Sequence, residues 1–224
     1  MTTRAPRVVA VNGGLGDPSS TRLLVDRIAE AVARRLGSAA EVEVIDLRDL
    51  AVDIGASMTT GFAAGAARDA VTAVESADAL IVASPVFNAS YSGLFKSFFD
   101  LVDVDAMAGK PVLIGATGGS PRHSMVLDHA MRPLFSYLRT VVIPTGVYAA
   151  AEDWAGTSGD TATLSGRIDR AAEELVALLS PRAVAVADDA TESGGNTAPT
   201  DRRQVAVEAA GIANFARLLG NSAT

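Results

Sequence analysis

Short apolar runs alternate with amphipathic segments five times along residues 1–180, and this alternation constrains the fold more than any other feature. The apolar runs are rich in Val, Ile and Ala, and they predict buried strands over 7–11, 41–47, 78–84, 111–116 and 141–148. The segments between them carry apolar residues at helical spacing. Strands and helices that alternate over short connections indicate an α/β chain whose parallel sheet is covered on both faces.

Five units of this kind predict a flavodoxin-like fold, which is a doubly wound five-stranded parallel sheet with helices on both faces. Residues 53–61 are rich in small side chains and predict a loop, whereas 122–138 predict a single helix. We assign residues 1–180 to this domain. Residues 181–224 predict a flexible linker and a C-terminal helix, which we expect to dock on this chain's own core or on a neighbouring copy.

The composition excludes several classes of function. The net charge of −7 repels a phosphate backbone, and no basic patch offsets it, so we expect no nucleic-acid partner. Cysteine is absent and only His123 and His129 are available, which excludes thiolate chemistry and argues against a metal site. No apolar run reaches the roughly 18–20 residues that cross a bilayer, and residues 1–7 are polar, unlike a signal peptide. We therefore expect a cytoplasmic protein with no metal and no membrane partner.

The loop after the first strand has the residue types of a phosphate site, with the sequence Gly-Gly-Leu-Gly-Asp-Pro-Ser-Ser-Thr over 13–21. Glycines permit a tight turn, and the following helix offers free N–H groups and a partial positive charge. The Gly-Lys-Ser/Thr ending of a P-loop is missing, and Ser19 stands where the dinucleotide fingerprint has its third glycine. From the residues alone, phosphate binding and a plain glycine turn with Ser19 or Ser20 as helix N-cap both stay open.

Two further loops follow apolar strands and reach the same sheet edge in this topology. The second loop, 84–93, offers apolar and amide groups but no acid or base, which suits a flat heterocycle; alternatively, Phe87 packs into the core. The third loop, 117–120, has adjacent Gly118 and Gly119, which let a backbone approach a ligand or simply make a strand-to-helix turn.

The sequence contains no recognisable catalytic constellation. The nucleophile elbow Gly-x-Ser-x-Gly is absent from the candidate loops. His123, Asp128 and His129 share one predicted helix, but their spacing does not place His123 beside Asp128, which favours a surface or capping role. We therefore predict no catalytic side chain and no metal ligand.

Three segments in combination resemble the NAD(P)H-dependent FMN reductases. They are 84–96, with the sequence Ser-Pro-Val-Phe-Asn-Ala-Ser-Tyr-Ser-Gly-Leu-Phe-Lys, then 116–120 and 127–133. The likeness covers residues 8–147, and it is strongest to the reductase components of two-component flavin monooxygenase systems.

The resemblance implies where the cofactors bind. The FMN phosphate would be held by Gly14, Leu15, Ser19, Ser20 and Thr21. The isoalloxazine ring would contact Pro85, Val86, Phe87 and Asn88. Its other side would be bordered by Thr117, Gly118, Gly119 and Ser120. The resemblance also implies NADPH or NADH as hydride donor, a homodimer or homotetramer, and a possible partner flavin-dependent monooxygenase.

Two positions depart from the pattern of the family. Gly16 and Asp17 occupy a stretch where many relatives carry an Arg, which leaves both NADPH and NADH open. His129 lies near the position where some flavin-releasing relatives have a Tyr, which leaves flavin release and flavin retention open.

Three functional hypotheses follow. The first is an FMN reductase that transfers hydride from NADPH or NADH to FMN and passes the reduced flavin to a monooxygenase. Because hydride transfer needs stacked rings more than a protein acid or base, the lack of catalytic side chains agrees with it. The second is an oxidoreductase that keeps FMN and reduces quinones, azo dyes or metal oxyanions. The third is a flavodoxin-type electron carrier, for which Phe87 and Tyr91 are the obvious ring-flanking aromatic residues.

Overall fold

The computed structural model describes residues 5–37, 42–154 and 163–179, so the predicted linker and C-terminal helix over 181–224 lie outside the described residues. The strands, in chain order, are β1 Val8–Asn12, β2 Val42–Asp46, β3 Ala79–Pro85, β4 Pro111–Gly118, β5 Val141–Val142 and β6 Val147–Ala150. The α-helices are α1 Ser20–Leu36, α2 Ala51–Thr60, α3 Gly65–Ser76, α4 Gly93–Phe99, α5 Val104–Met107, α6 Arg132–Tyr137, α7 Ala151–Trp154 and α8 Leu164–Leu179.

All strand pairs of the sheet are parallel, in the order β2-β1-β3-β4, with β5 and β6 both beside β4. The sheet therefore has five positions, the last of which is shared by two short strands. The flavodoxin-like prediction is confirmed. In this order the chain runs from β1 to its neighbour β2 on one side of the centre, and from β3 to its neighbour β4 on the other side. Sheets of this kind bind ligands at their carboxyl edge, near the point where the strand order reverses.

The predicted fifth strand, 141–148, is interrupted rather than continuous. The Ile143 N–H still donates to the Val112 carbonyl at 3.0 Å, but Pro144 has no N–H. The next N–H, from Thr145, turns away from the sheet to a carboxylate oxygen of Glu174 at 2.8 Å. The ladder resumes at Val147 beside Gly115.

Helices cover both faces of the sheet, as predicted. Alternation along β1 sends Val8 and Ala10 to one core cluster and Val9 and Val11 to the other, and all four are fully buried. The first cluster is closed by α1 and α8. The second lies under α2 to α6 and contains an aromatic group built from Phe95, Phe98, Phe99 and Phe135.

The prediction of a loop over 53–61 is wrong, because Ala51–Thr60 is helix α2. Its helical conformation is fixed by tertiary packing, since Ile54 is fully buried in the core beneath it. The helix ends at Gly61, whose φ of 79° is the left-handed conformation that glycine adopts easily. The small residues that suggested a loop lie mostly on its exposed side.

The predicted helix over 122–138 is a series of three helical segments. A 3-10 turn spans Pro121–Met125, a π-helical turn spans Leu127–Met131, and α6 follows. Pro133, near the start of α6, has no N–H to offer to the preceding turn, so a continuous α-helical ladder cannot form there. None of the helices in the described ranges is both long enough and apolar enough to span a membrane.

Candidate functional site

Backbone contacts bring the first and second loops together at the carboxyl edge of the sheet. The Gly13 N–H donates to the Ala83 carbonyl at 2.8 Å, and the Ser92 hydroxyl donates to the Gly13 carbonyl at 3.3 Å. The second loop is joined to the third, since the Val86 N–H donates to the Thr117 carbonyl at 2.8 Å. The three loops singled out from the sequence therefore form one connected structure.

A buried pair of hydroxyls links the first loop to the third. The side-chain oxygens of Thr21 and Thr117 lie 2.7 Å apart, and both residues are almost fully buried. One of the two hydroxyls donates to the other, so neither buried oxygen is without a partner. The pair therefore fixes the spacing between the start of α1 and the end of β4.

The first loop is tightly folded around its helix N-terminus. Ser19 is the N-cap of α1, because its hydroxyl accepts from the Arg22 N–H at 3.1 Å. Gly14 lies against this cap: a Cβ at Gly14 would be only 2.2 Å from the Ser19 Oγ. Leu15 and Ser20 are exposed. The exposed residues of the loop, Ser20 among them, thus lie at the positive end of a 17-residue helix.

The second loop projects Phe87 outward. Phe87 and Ser90 exchange two backbone hydrogen bonds, at 2.8 and 3.0 Å. The two residues between them, Asn88 and Ala89, have φ angles of 48° and 65°, which make a tight hairpin turn of type I′. Phe87 is 47% exposed, so the alternative in which it packs into the core is not realised.

The third loop is shaped by Tyr148, a residue of β6 that no sequence pattern singled out. Its hydroxyl donates to the Ser120 carbonyl at 2.6 Å, and burial, followed by the charge of Asp153, raises the pKa of Tyr148, which keeps this donor protonated. A Cβ at Gly118 would lie 2.4 Å from the Tyr148 hydroxyl, whereas a Cβ at Gly119 would meet nothing within 4 Å. Glycine at 118 is therefore required for close packing against Tyr148, whereas Gly119 lies beside free space.

An ion pair between Arg167 and Asp153 contacts the backbone of Tyr148. Arg167 donates to the Tyr148 carbonyl at 3.1 Å and to the Asp153 carboxylate at 2.8 Å. The Asp153 side chain is 7% exposed, so this pair is largely removed from solvent. It holds the end of β6 in place beside the third loop.

A cleft of about 360 Å³ lies beside the first loop and brings in residues that the sequence analysis missed. Asn12 at the end of β1 accepts from the Gly14 N–H at 3.0 Å and donates to Asp46 at 2.7 Å. Arg48, from the turn after β2, lines the same cleft. The topology could have indicated both, since β1 and β2 are neighbours whose carboxyl ends share an edge.

Both histidines are exposed: the His123 N–H donates to the Ser120 carbonyl at 3.2 Å, and His129 lines a cleft together with Ser90 and Tyr91. Asp128 pairs with Arg132 at 3.0 Å rather than with a histidine. In the part of the chain that the structure describes, no group of three or more His, Asp or Glu side chains is placed to hold a metal ion.

Fold and site together define a flavodoxin-like α/β protein whose switch-point edge combines a helix N-terminus with an exposed apolar loop. The profile of the family described as NADPH-dependent FMN reductase matches residues 6–155. The chain is 41% identical over 178 residues to "FMN reductase (NADPH)" of Pseudomonas aeruginosa, covering 79% of this chain and 94% of the relative. It is also 41% identical over 176 residues to "NADH-dependent FMN reductase SfnF" of Pseudomonas fluorescens, covering 79% and 93%.

Solved structures agree with this. An oxidoreductase from Corynebacterium diphtheriae superposes with a TM-score of 0.72 at 45% identity, over 79% of this chain and 97% of that one. The apo form of the NADH:FMN oxidoreductase EMOB superposes with a TM-score of 0.65 at 32% identity, over 76% and 90%. The chain belongs to the NADPH-dependent FMN reductase family. It is an oxidoreductase that uses FMN together with NADPH or NADH.

Gly119→Val is expected to lower turnover or flavin affinity while the fold stays intact. A Cβ at Gly119 would meet nothing within 4 Å, so the branched side chain has room to extend into the space where the ring is expected to be bordered. We expect an effect of roughly tenfold, equivalent to about 1.4 kcal/mol, in steady-state kinetics, with an unchanged melting temperature. Unchanged kinetics would show that the third loop does not border the flavin.

Proposed function

We propose that the three connected loops bind FMN, with the phosphate at 14–21 and the ring between 85–88 and 117–120. The observation that carries this is the network of hydrogen bonds that joins the three loops, through Gly13, Thr21, Val86 and Thr117, into one preformed edge. The residue types agree with the ligand, because N–H groups and hydroxyls suit a phosphate and an exposed Phe87 suits a flat ring.

In this arrangement the protein binds and orients the rings. The flavin, when bound, supplies the hydride acceptor, and the chain contributes position and electrostatics. Backbone N–H groups around Gly118 and Gly119 would stabilise the negative charge that reduction places on the ring. The Thr21–Thr117 pair would keep the phosphate loop and the ring loop at a fixed separation.

Ser20→Asp is expected to weaken FMN binding by at least about tenfold, or 1.4 kcal/mol, and to leave riboflavin binding unchanged. Ser20 is exposed, so the substitution causes no overlap, but it places a negative charge beside a phosphate at the N-terminus of α1. Ser20→Asn has the same size without the charge and is the matched control. Equal losses for FMN and riboflavin would show that this loop does not hold the phosphate.

We further propose that FMN exchanges during turnover and that a flavin-dependent monooxygenase receives the reduced flavin. The cleft beside the first loop is lined by four carboxylates, which weaken binding of a phosphate, and the aromatic surface for the ring is small. The resemblance to reductase components of two-component systems supports the same conclusion, and it also supports a cytoplasmic homodimer or homotetramer.

Purified protein is therefore expected to be colourless or to contain less than one FMN per subunit. Apparent flavin constants should lie in roughly the micromolar range, near −8 kcal/mol, and activity should rise with added FMN. The measurement is flavin absorbance before and after dialysis, combined with FMN titration of NADH and NADPH oxidation. One FMN per subunit after extensive dialysis, with turnover independent of added FMN, would favour the bound-flavin oxidoreductase instead.

A further inference from the structure

The cleft beside the first loop contains an excess of negative charge. Its ionisable lining residues are Asp17, Asp26, Asp46, Asp49, Arg22 and Arg48. A phosphate monoester carries nearly two further negative charges at pH 7. A phosphate at the first loop therefore needs a cation that is not already committed to these carboxylates.

Arg22 is committed. Its guanidinium contacts Asp26 at 2.8 Å and also pairs with Asp46 across the cleft. Asp46 is in turn held by Asn12. If Arg22 turned toward a phosphate, Asp26 and Asp46 would lose the cation that neutralises them. Arg22 is therefore poorly suited to bind the phosphate.

Arg48 is held loosely. Its guanidinium lies 3.7 Å from the carboxylate of Asp17 and 3.7 Å from that of Asp49, and both carboxylates are well exposed to water. Its one hydrogen bond among the described residues is a long one, 3.3 Å to the carbonyl oxygen of Gly16, within the first loop. Such exposed pairs contribute little energy, so they are easily exchanged for a stronger partner.

We propose that Arg48 is a phosphate-specificity residue, which leaves Gly16 and Asp17 and donates to the FMN phosphate when flavin binds. Arg48 lies in the same cleft as Gly14 and Ser19, and its side chain already reaches the loop. A planar guanidinium suits a phosphate because it can donate two parallel hydrogen bonds. Asp17 competes with the phosphate for this donor. The inference rests on the proposed placement of the phosphate at the first loop.

The test is equilibrium binding of FMN and of riboflavin to the full-length apoprotein, followed by quenching of flavin fluorescence. Arg48→Gln is expected to raise the FMN dissociation constant by roughly tenfold and to leave the riboflavin constant unchanged. Arg48→Lys should restore part of the loss. Asp17→Asn should act in the opposite direction and tighten FMN binding several-fold, again without effect on riboflavin, because Asp17 is exposed and competes for Arg48.

Arg34→Gln is the matched control, because Arg34 is an exposed arginine at the far end of α1 that pairs with Glu30. It removes the same charge, and we expect it to change neither constant. If Arg48→Gln leaves the FMN-to-riboflavin ratio unchanged while Ser20→Asp lowers it, the role of Arg48 is wrong and the phosphate placement stands. If Arg48→Gln weakens both flavins equally, Arg48 merely shapes the loop and the inference is overturned. If no variant, Ser20→Asp included, changes the ratio, the phosphate placement itself fails.

Discussion

Gly14→Ala is expected to reduce FMN affinity by roughly 100-fold, equivalent to about 2.7 kcal/mol. The new methyl group would lie 2.2 Å from the Ser19 Oγ, 3.0 Å from the Asn12 Oδ1 and 3.1 Å from the Thr21 Cβ. Ser19 would have to rotate away and give up the cap of α1, which costs about 1 kcal/mol of stability by itself. The measurement is FMN titration of the apoprotein, with chemical unfolding for the free energy of unfolding.

Gly55→Ala provides the matched control. Gly55 lies inside α2, and a Cβ there would meet nothing within 4 Å. Alanine is favoured over glycine in a helix interior by up to about 1 kcal/mol, so this variant should be slightly more stable and should bind FMN unchanged. Wild-type FMN affinity in Gly14→Ala would mean that the first loop plays no part in binding.

Phe95→Ala is expected to lower the free energy of unfolding by about 3–5 kcal/mol. Phe95 is fully buried, and its ring centroid lies 4.8 Å from that of Phe99 and 5.8 Å from that of Tyr91. Its ring also lies directly beneath the first loop, since a Cβ at Gly13 would be 3.0 Å from the Phe95 Cδ2. The substitution should therefore destabilise the fold and loosen the flavin site together.

Phe99→Ala separates the two effects, because Phe99 belongs to the same aromatic group and is 2% exposed. We expect a comparable loss of stability in urea unfolding of the flavin-free protein. Under conditions where both variants are folded, FMN affinity should fall clearly in Phe95→Ala and little in Phe99→Ala. Equal affinity in the two variants would show that the core beneath Gly13 does not support the site.

The sequence predicted the sheet well because its central strands, β1, β3 and β4, are buried on both faces. Residues such as Val9 and Val82 are fully buried, and a strand that is buried on both faces has a continuous apolar sequence, which is a strong signal for a buried strand. The helix α2 was missed because its conformation depends on tertiary packing of Ile54, which local composition does not reveal. The interruption at Pro144 was missed because a proline at a sheet edge is compatible with a strand until the partner of Thr145 is known.

The candidate site was predictable where loops follow strands, and less so where side chains arrive from elsewhere. The glycine and hydroxyl residues of the three loops were selected because of their position after apolar runs. Tyr148 and Arg48 were not, since neither lies in those loops, and each reaches them only through the pairing of neighbouring strands. The docking predicted for the C-terminal helix within 181–224 stays a prediction.

A crystal structure of the protein in complex with FMN would test the proposed flavin site most directly. We expect the phosphate within hydrogen-bond distance of N–H groups of 14–21, with the ring bordered by 85–88 on one side and by 117–120 on the other. A phosphate bound away from the first loop, such as in the separate cleft lined by Asp128, Tyr148 and Arg167, would contradict the proposed site.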